Sequence, residues 1–413
     1  MREFVSWLRQ PSVSRLSVLD QFFVGASSGL LVVAAASSMS AAEVGQFGLA
    51  YTVGAILVVI IRGGFLARLT MIPSHGEVVR LASLGLKIAL PGAAGISLIS
   101  LFIIWILSAG SGVTFLTLLV ALSFPVVIAY EILRYVLVSC RQPRLPVVVS
   151  LLWFTVTAIA TGFSVISMRP DITVVVWLSS GVLGALSLFG GFQVLKRSSP
   201  DINHEIQSET STRIPTLGHF NVLVATQASS ALAIAFSVFA LADASVWAQI
   251  VVLNAVLYPL SVLTQTMPLL VRASRNSLSH LVRKFGVETL LAGAVIATSI
   301  LWFMILIWVI PNLVASLMGE TWLISTHILW IATLNLAAGA LLGLIISISH
   351  YQGKDALVRR VLVSTALLRV VSVLVVAGFT QSAGWIIAGE LAVNILAVTL
   401  IIIGRAKSPA KAT

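Results

Sequence analysis

The sequence predicts an all-α polytopic membrane protein with about twelve transmembrane helices in two six-helix lobes. Three observations carry that expectation. Of 413 residues, 58% are apolar and 9% charged, and the mean hydropathy is +1.06. A water-soluble domain carries roughly 25% charged residues, so this chain has too little charge to cover a surface facing water. Its apolar residues fall into runs long enough to cross a bilayer. The basic residues alternate from one side of those runs to the other.

A helical span needs about 20 mostly apolar residues, because in hydrocarbon every backbone N–H and C=O must be satisfied within the helix. Twelve runs meet that length: Ser17–Met39, Val44–Gly64, Leu84–Ser108, Val113–Ser139, Pro146–Met168 and Ile172–Leu195, then His219–Leu241, Val246–Val271, Thr289–Met318, Ile324–Ile348, Val361–Phe379 and Gly384–Gly404. Ahead of them, Phe4, Val5, Trp7 and Leu8, flanked by Arg2 and Arg9, suit a short interfacial helix. The turns expected outside are short: Ser40–Glu43, Ala109–Gly112, Arg169–Asp171, Ala242–Ser245, Gly319–Leu323 and Thr380–Ala383.

Charge tests the helix count. With the N-terminus inside, all 25 Lys and Arg except Arg169 and Arg369 fall on the inner side or at inner helix ends. A wrong count would scramble that alternation, and the bias orients a membrane protein with its cations in the cytoplasm. Both termini are therefore expected in the cytoplasm, in a multi-pass protein of the cytoplasmic membrane. The net charge of +11 belongs to this topology, and nucleic acid is not expected as a partner. A single cysteine, Cys140, excludes an internal disulfide.

The longest inner connection is polar and divides the spans six and six. It sets an N-terminal lobe over residues 1–197, a linker over 198–218, a C-terminal lobe over 219–404 and a tail over 405–413. The halves carry a faint repeat. GASSGLLVV from Gly25 aligns with TQASSALAI from Thr226 when Ser27–Ser28 is set on Ser229–Ser230, an offset of 202 residues. With six helices each, both halves enter from the same side, as in parallel repeats that suit alternating access about a cavity.

Charges inside spans cost about 2.5–3.5 kcal/mol on insertion scales and need a reason. Arg369 lies near the middle of the eleventh run. It either lines a hydrophilic cavity and binds an anionic group, or partners a carboxylate or helix-end carbonyls. Glu131 and Arg134, three apart, share one face of the fourth run. They line a cavity, hold phosphate or carry a proton, or else form a pair snorkelling at the inner surface. Glu390, with Asn394 one turn on, is an ion-coupling site for H⁺ or Na⁺ or a charge partner of Arg369. Asp20, Gln21 and Arg62 lie near the expected inner surface, as anchors or cavity residues. Asn254, Asn335 and Gln227 read as amides that tie helices together. Pro91, Pro125, Pro259, Pro268 and Pro311 interrupt helices.

No enzyme is expected. The sequence has no HExxH, P-loop or Gly-x-Ser-x-Gly motif, its six histidines lack metal-ligand spacing, and its short outer turns leave no room for an external catalytic domain. No cofactor is called for beyond a coupling ion.

Several stretches carry a family resemblance: LDQFFVGASSGLL from Leu19, SAAEVGQFGLAYTV from Ser40, YEILRYVLVSCRQPRLPVVVSLLW from Tyr130, and MGETW over Met318–Trp322. Through these the chain resembles the polysaccharide-biosynthesis flippases. Those are the Wzx-type O-antigen and exopolysaccharide translocases of the multidrug/oligosaccharidyl-lipid/polysaccharide exporter superfamily. Gly45, Phe47 and Ala50 match the family's outer turn, whereas Met39–Ser40 stand where it usually has Gly-Pro. The resemblance implies a MATE-like fold and a lipid-linked glycan as substrate, flipped as a polyprenyl-diphosphate oligosaccharide. It implies cavity cations that hold the diphosphate, by position Arg369, Arg134 and Arg62. Membrane lipids, a polysaccharide polymerase and glycosyltransferases would be its partners. The competing expectation is a MATE-like ion-coupled exporter of small molecules, which needs acidic residues facing the cavity.

Overall fold

The computed structural model describes residues 13–62, 75–107, 114–140, 142–198, 230–260, 287–351 and 354–407. Among these the regular structure is helical. The first stretch gives α1 (Val13–Ala36), α2 (Ala41–Ile61), α3 (His75–Leu107), α4 (Phe115–Leu122), α5 (Phe124–Ser139), α6 (Arg144–Ser167) and α7 (Pro170–Ser198). The second gives α8 (Ser230–Leu241), α9 (Ala244–Val256), α10 (Val287–Met304), α11 (Pro311–Ser325), α12 (Leu329–Tyr351), α13 (Asp355–Thr380) and α14 (Ala383–Lys407). Among the described residues ten segments are long and apolar enough to cross a membrane, and α8 and α9 are shorter apolar helices near undescribed residues. The chain is a multi-pass, all-α membrane protein. Ile166 and Phe379 are 84% and 86% exposed, a surface that suits lipid and not water.

The helix ends follow local chemistry. At the turn before α2, the Ser40 N–H and hydroxyl both donate to Glu43 Oε2, and the Glu43 N–H returns to the Ser40 hydroxyl. That is a capping box written in the sequence as Ser-Ala-Ala-Glu. The fourth predicted run is realised as two helices that break at Ser123, one residue ahead of Phe124–Pro125, where proline cannot donate to the preceding turn. The ninth run stops earlier than expected. After α10 a wider π-turn covers Ile305–Val309, Pro311 opens a new helix, and Gly319 breaks it with φ +58°. The next membrane-length segment is Thr321–Ser349. α3 begins nine residues before the expected Leu84, and its 33 residues reach about 50 Å, beyond a hydrocarbon core of about 30 Å.

The described residues form two compact units. The first holds 13–31 and 50–198; the second holds 32–49 and 230–407. The expected linker lies, apart from residue 198, outside the described residues, as does the expected interfacial helix near the N-terminus. In the first unit α6 packs along α7, and α5 packs against α3 and α7. In the second, α14 packs on α12 and α13, α10 on α12, and α9 on α11. Residues 32–49 join the second unit for a visible reason. A Cβ at Gly45 would collide with the Ala244 carbonyl, and one at Gly48 would lie 2.7 Å from Val251 Cγ2. Only glycine lets α2 approach α9 this closely, the usual device of membrane helix contacts.

Candidate functional site

Two polar clusters lie within the apolar helices, one in each unit. The first is ionic. On α5 the i, i+3 spacing brings Arg134 Nη2 to Glu131 Oε2 at 2.7 Å. Asp20 from α1 takes the other end of the same guanidinium, Nη1 to Oδ2 at 2.6 Å. Glu131 is also gripped by Arg62, just beyond α2, through a two-bond fork with both distances 2.8 Å. Two arginines and two carboxylates give no net charge, the condition under which such groups tolerate burial. Arg134 and Glu131 are each 1% exposed and Asp20 3%, while Arg62 is 19% exposed.

A neutral shell orients this core. Ser150 of α6 donates to Asp20 Oδ1 at 2.5 Å. Because its single proton is spent there, Tyr130, at 2.7 Å, must donate to the Ser150 oxygen. The Tyr130 ring meets Trp153 at 4.6 Å, and Trp153 meets Trp177 at 5.3 Å while donating its indole N–H to the Trp177 carbonyl. Gln21 donates to the Tyr135 hydroxyl at 2.9 Å, and the Tyr135 ring lies 5.2 Å from the Arg134 guanidinium carbon.

These positions revise three expectations. Arg134 is enclosed by two carboxylates, so in this conformation an incoming anion would have to displace both from a site with almost no exposure. Its geometry is that of a structural cation, and Arg62 is the member of the pair that retains a surface. Glu131 and Arg134 form no snorkelling pair at an interface but a buried one. Asp20 is no interfacial anchor, since it is buried against Arg134. Ser150 and the aromatic stack were not foreseen; the signal for Ser150 was only a hydroxyl four residues past Pro146 in an apolar run.

The second cluster is an ordered chain of four side chains. Arg369 on α13 donates Nη2 to Asn394 Oδ1 on α14 at 2.6 Å. Asn394 Nδ2 donates to Asn335 Oδ1 on α12 at 2.8 Å. Asn335 Nδ2 donates to Glu390 Oε2, back on α14, at 3.1 Å. Glu390 and Asn394 share a face by their i, i+4 spacing, and Gly389 lets α14 approach α13 so closely that a Cβ there would lie 2.8 Å from Ser372 Oγ. Arg369, Asn335 and Glu390 are half-buried, and Asn394 is buried. Two amides thus link Arg369 to Glu390, the pair expected as charge partners. Asn335 ties helices together as expected. Asn254 is exposed and is no internal tie, and Gln227 lies outside the described residues. Among the described residues no cluster of His, Cys, Asp and Glu could hold a metal ion.

No protein-family model and no curated protein matches the sequence. Solved structures do match. An inward-facing multidrug resistance MATE family transporter of the MOP superfamily aligns at 10% identity with a TM-score of 0.66, over 98% of this chain and 100% of that one. The lipid II flippase MurJ in an inward closed conformation aligns at 12% identity and TM-score 0.64, over 95% of this chain and 87% of that one. A MOP superfamily transporter from Pyrococcus furiosus Vc1, described as having a binding pocket of reverse polarity, aligns at 12% identity and TM-score 0.52, over 96% and 95%. At these identities the likeness is one of fold: the chain has the MATE-like fold of MOP superfamily transporters.

Proposed function

We propose that the chain is a MOP superfamily flippase that moves a polyprenyl-diphosphate-linked oligosaccharide from the inner to the outer leaflet of the cytoplasmic membrane by alternating access. The observation that carries this reading is Arg369. It is a half-buried cation in the middle of a spanning helix, and its Nη2 donates to the amide oxygen of Asn394. A guanidinium at that depth carries a fork of donors that matches the oxygens of a diphosphate. Arg62, partly exposed at the end of α2, is the corresponding candidate in the first unit, with Arg134 behind it holding Glu131 and Asp20 in place.

The polarity of the clusters disfavours the alternative, an ion-coupled exporter of organic cations. That function needs carboxylates available to a cation. Here Glu131 is held by two arginines, Asp20 by Arg134 and Ser150, and Glu390 by Asn335. The transporter fold supports a role without catalysis. The basic bias of the loops supports cytoplasmic termini, a lobe boundary in the 198–218 linker, and access from the side where glycosyltransferases build the glycan. A polymerase would receive it on the other side.

Deleting the gene should make polyprenyl-diphosphate glycan accumulate on the cytoplasmic side. A plasmid copy should restore surface glycan, the Arg369→Lys variant in part, and Arg369→Gln not at all. Normal surface glycan in the deletion strain would overturn the proposal.

A further inference from the structure

The turn between α6 and α7 carries a charge that the topology disfavours. Cations gather on the inner side of this sequence, and Arg169 is the one Lys or Arg expected in an outer turn. Asp171 stands two residues on. Arg169 Nη2 donates to Asp171 Oδ2 at 2.8 Å, and Nε to Oδ1 at 3.4 Å. The pair is neutral in sum but open to its surroundings, with Arg169 66% exposed and Asp171 35%. Folding gains little from an exposed pair of this kind.

Beside the pair an apolar groove of about 400 Å³ runs along the two helices, within the range of small-ligand sites, about 300–1,000 Å³. Val156, Phe163 and Ser167 of α6 form one wall, and Ile172 and Val176 of α7 the other. Ala160, 5% exposed, is the floor, and its single methyl leaves the space above it. The walls make little polar demand, because the Ser167 hydroxyl already donates to the Phe163 carbonyl at 2.7 Å. Two buried ties fix the helices around this floor. The Thr173 N–H and hydroxyl both donate to Ser164 Oγ, at 3.1 and 2.6 Å, and the Trp153 indole donates to the Trp177 carbonyl. The groove is therefore built into a tied helix pair. From Val156 to Ser167 it runs about 16 Å at 1.5 Å per residue, about half of a hydrocarbon core of about 30 Å. It thus has the depth of one leaflet, and the charged turn lies at its end: Arg169 is two residues past Ser167, and Asp171 directly precedes Ile172.

We infer that this groove is a binding site for a zwitterionic phospholipid whose head group ends in a primary ammonium. One acyl chain lies over Ala160, the phosphate meets Arg169 and the ammonium meets Asp171. The two charges of the head group match the two charges of the turn, so binding leaves none of the four unanswered. An anionic phospholipid without an ammonium would satisfy Arg169 but set its own charge beside Asp171. Free phosphate would gain nothing from the groove. The site lies within the first unit, uses no residue of either polar cluster and is independent of what the protein transports.

The test uses the purified full-length protein in phosphatidylcholine vesicles containing a trace of phosphatidylethanolamine with a photoreactive group midway along one acyl chain. Phosphatidylglycerol with the same photoreactive chain is the comparison. After irradiation and proteolysis, mass spectrometry counts lipid adducts on residues 156–176. Phosphatidylethanolamine should label this stretch about fivefold more than phosphatidylglycerol, the size expected of one charge contact at a membrane surface. The double variant Arg169→Gln, Asp171→Asn keeps the net charge, alters only a surface pair and should bring the two lipids level. Ala160→Leu fills the floor and should lower labelling by both lipids, and the double variant carries the test even if Ala160→Leu does not fold. Equal labelling of the parent by the two lipids, a preference for the anionic one, or a preference that survives in the double variant would overturn the proposal.

Discussion

Replacing Arg134 with leucine removes a cation that is 1% exposed and holds two carboxylates. Glu131 keeps its fork to Arg62, but Asp20 keeps, among the described residues, only the Ser150 hydroxyl. Hydrogen bonds to charged groups contribute about 1.5–3 kcal/mol each. Removing one member of a buried pair typically costs about 3–5 kcal/mol, because the stranded charge cannot be hydrated. The larger share should come from Asp20, so adding Asp20→Asn to Arg134→Leu should recover about 2 kcal/mol, a coupling that independent sites would not show. The assay is unfolding of the purified variants in mild detergent, followed by tryptophan fluorescence. An Arg134→Leu protein as stable as the parent, or a double variant showing the sum of the two single losses, would refute the reading of this cluster as a mutually neutralised core.

Gly45→Val places a side chain against the Ala244 carbonyl, a backbone atom that cannot rotate away; it should destabilise the protein by about 1–3 kcal/mol in the same unfolding assay. Ser40→Ala removes the α2 capping box and should cost about 1 kcal/mol, with Glu43→Ala adding less than its separate effect because the two bonds are reciprocal. Trp153→Phe keeps the aromatic stack but loses the indole bond to the Trp177 carbonyl; it should cost about 1 kcal/mol and leave glycan export intact, as a surface-glycan stain would show.

The spans were legible in the sequence because lipid imposes a length and the loops carry its charge bias. α6, α7 and α14 fall within three residues of their expected bounds. Breaks were harder to place. Pro125 and Pro311 were visible as interruptions, yet whether a proline bends a helix or ends it depends on the neighbouring turn. At Pro311 the π-turn and Gly319 decide for an ending. The polar residues of both clusters were recognisable one by one, since each is expensive in hydrocarbon. Their pairing was not. Asp20 is 114 residues from Arg134, and only tertiary packing of α1 on α5 turns an apparent anchor into a counter-ion. Likewise nothing local indicated that Asn335 and Asn394 would stand between Arg369 and Glu390.

In the function proposed here a cation in the second unit carries a lipid-linked diphosphate glycan across the bilayer. Its most direct test is reconstitution of the protein into vesicles containing a fluorescent polyprenyl-diphosphate oligosaccharide, with an impermeant quencher added outside. The inner-leaflet pool should become quenchable with the parent protein, and Arg369→Gln should slow this about tenfold or more, equivalent to at least about 1.4 kcal/mol on the barrier. Vesicles with the parent protein no faster than protein-free vesicles, or an Arg369→Gln protein as fast as the parent, would contradict it.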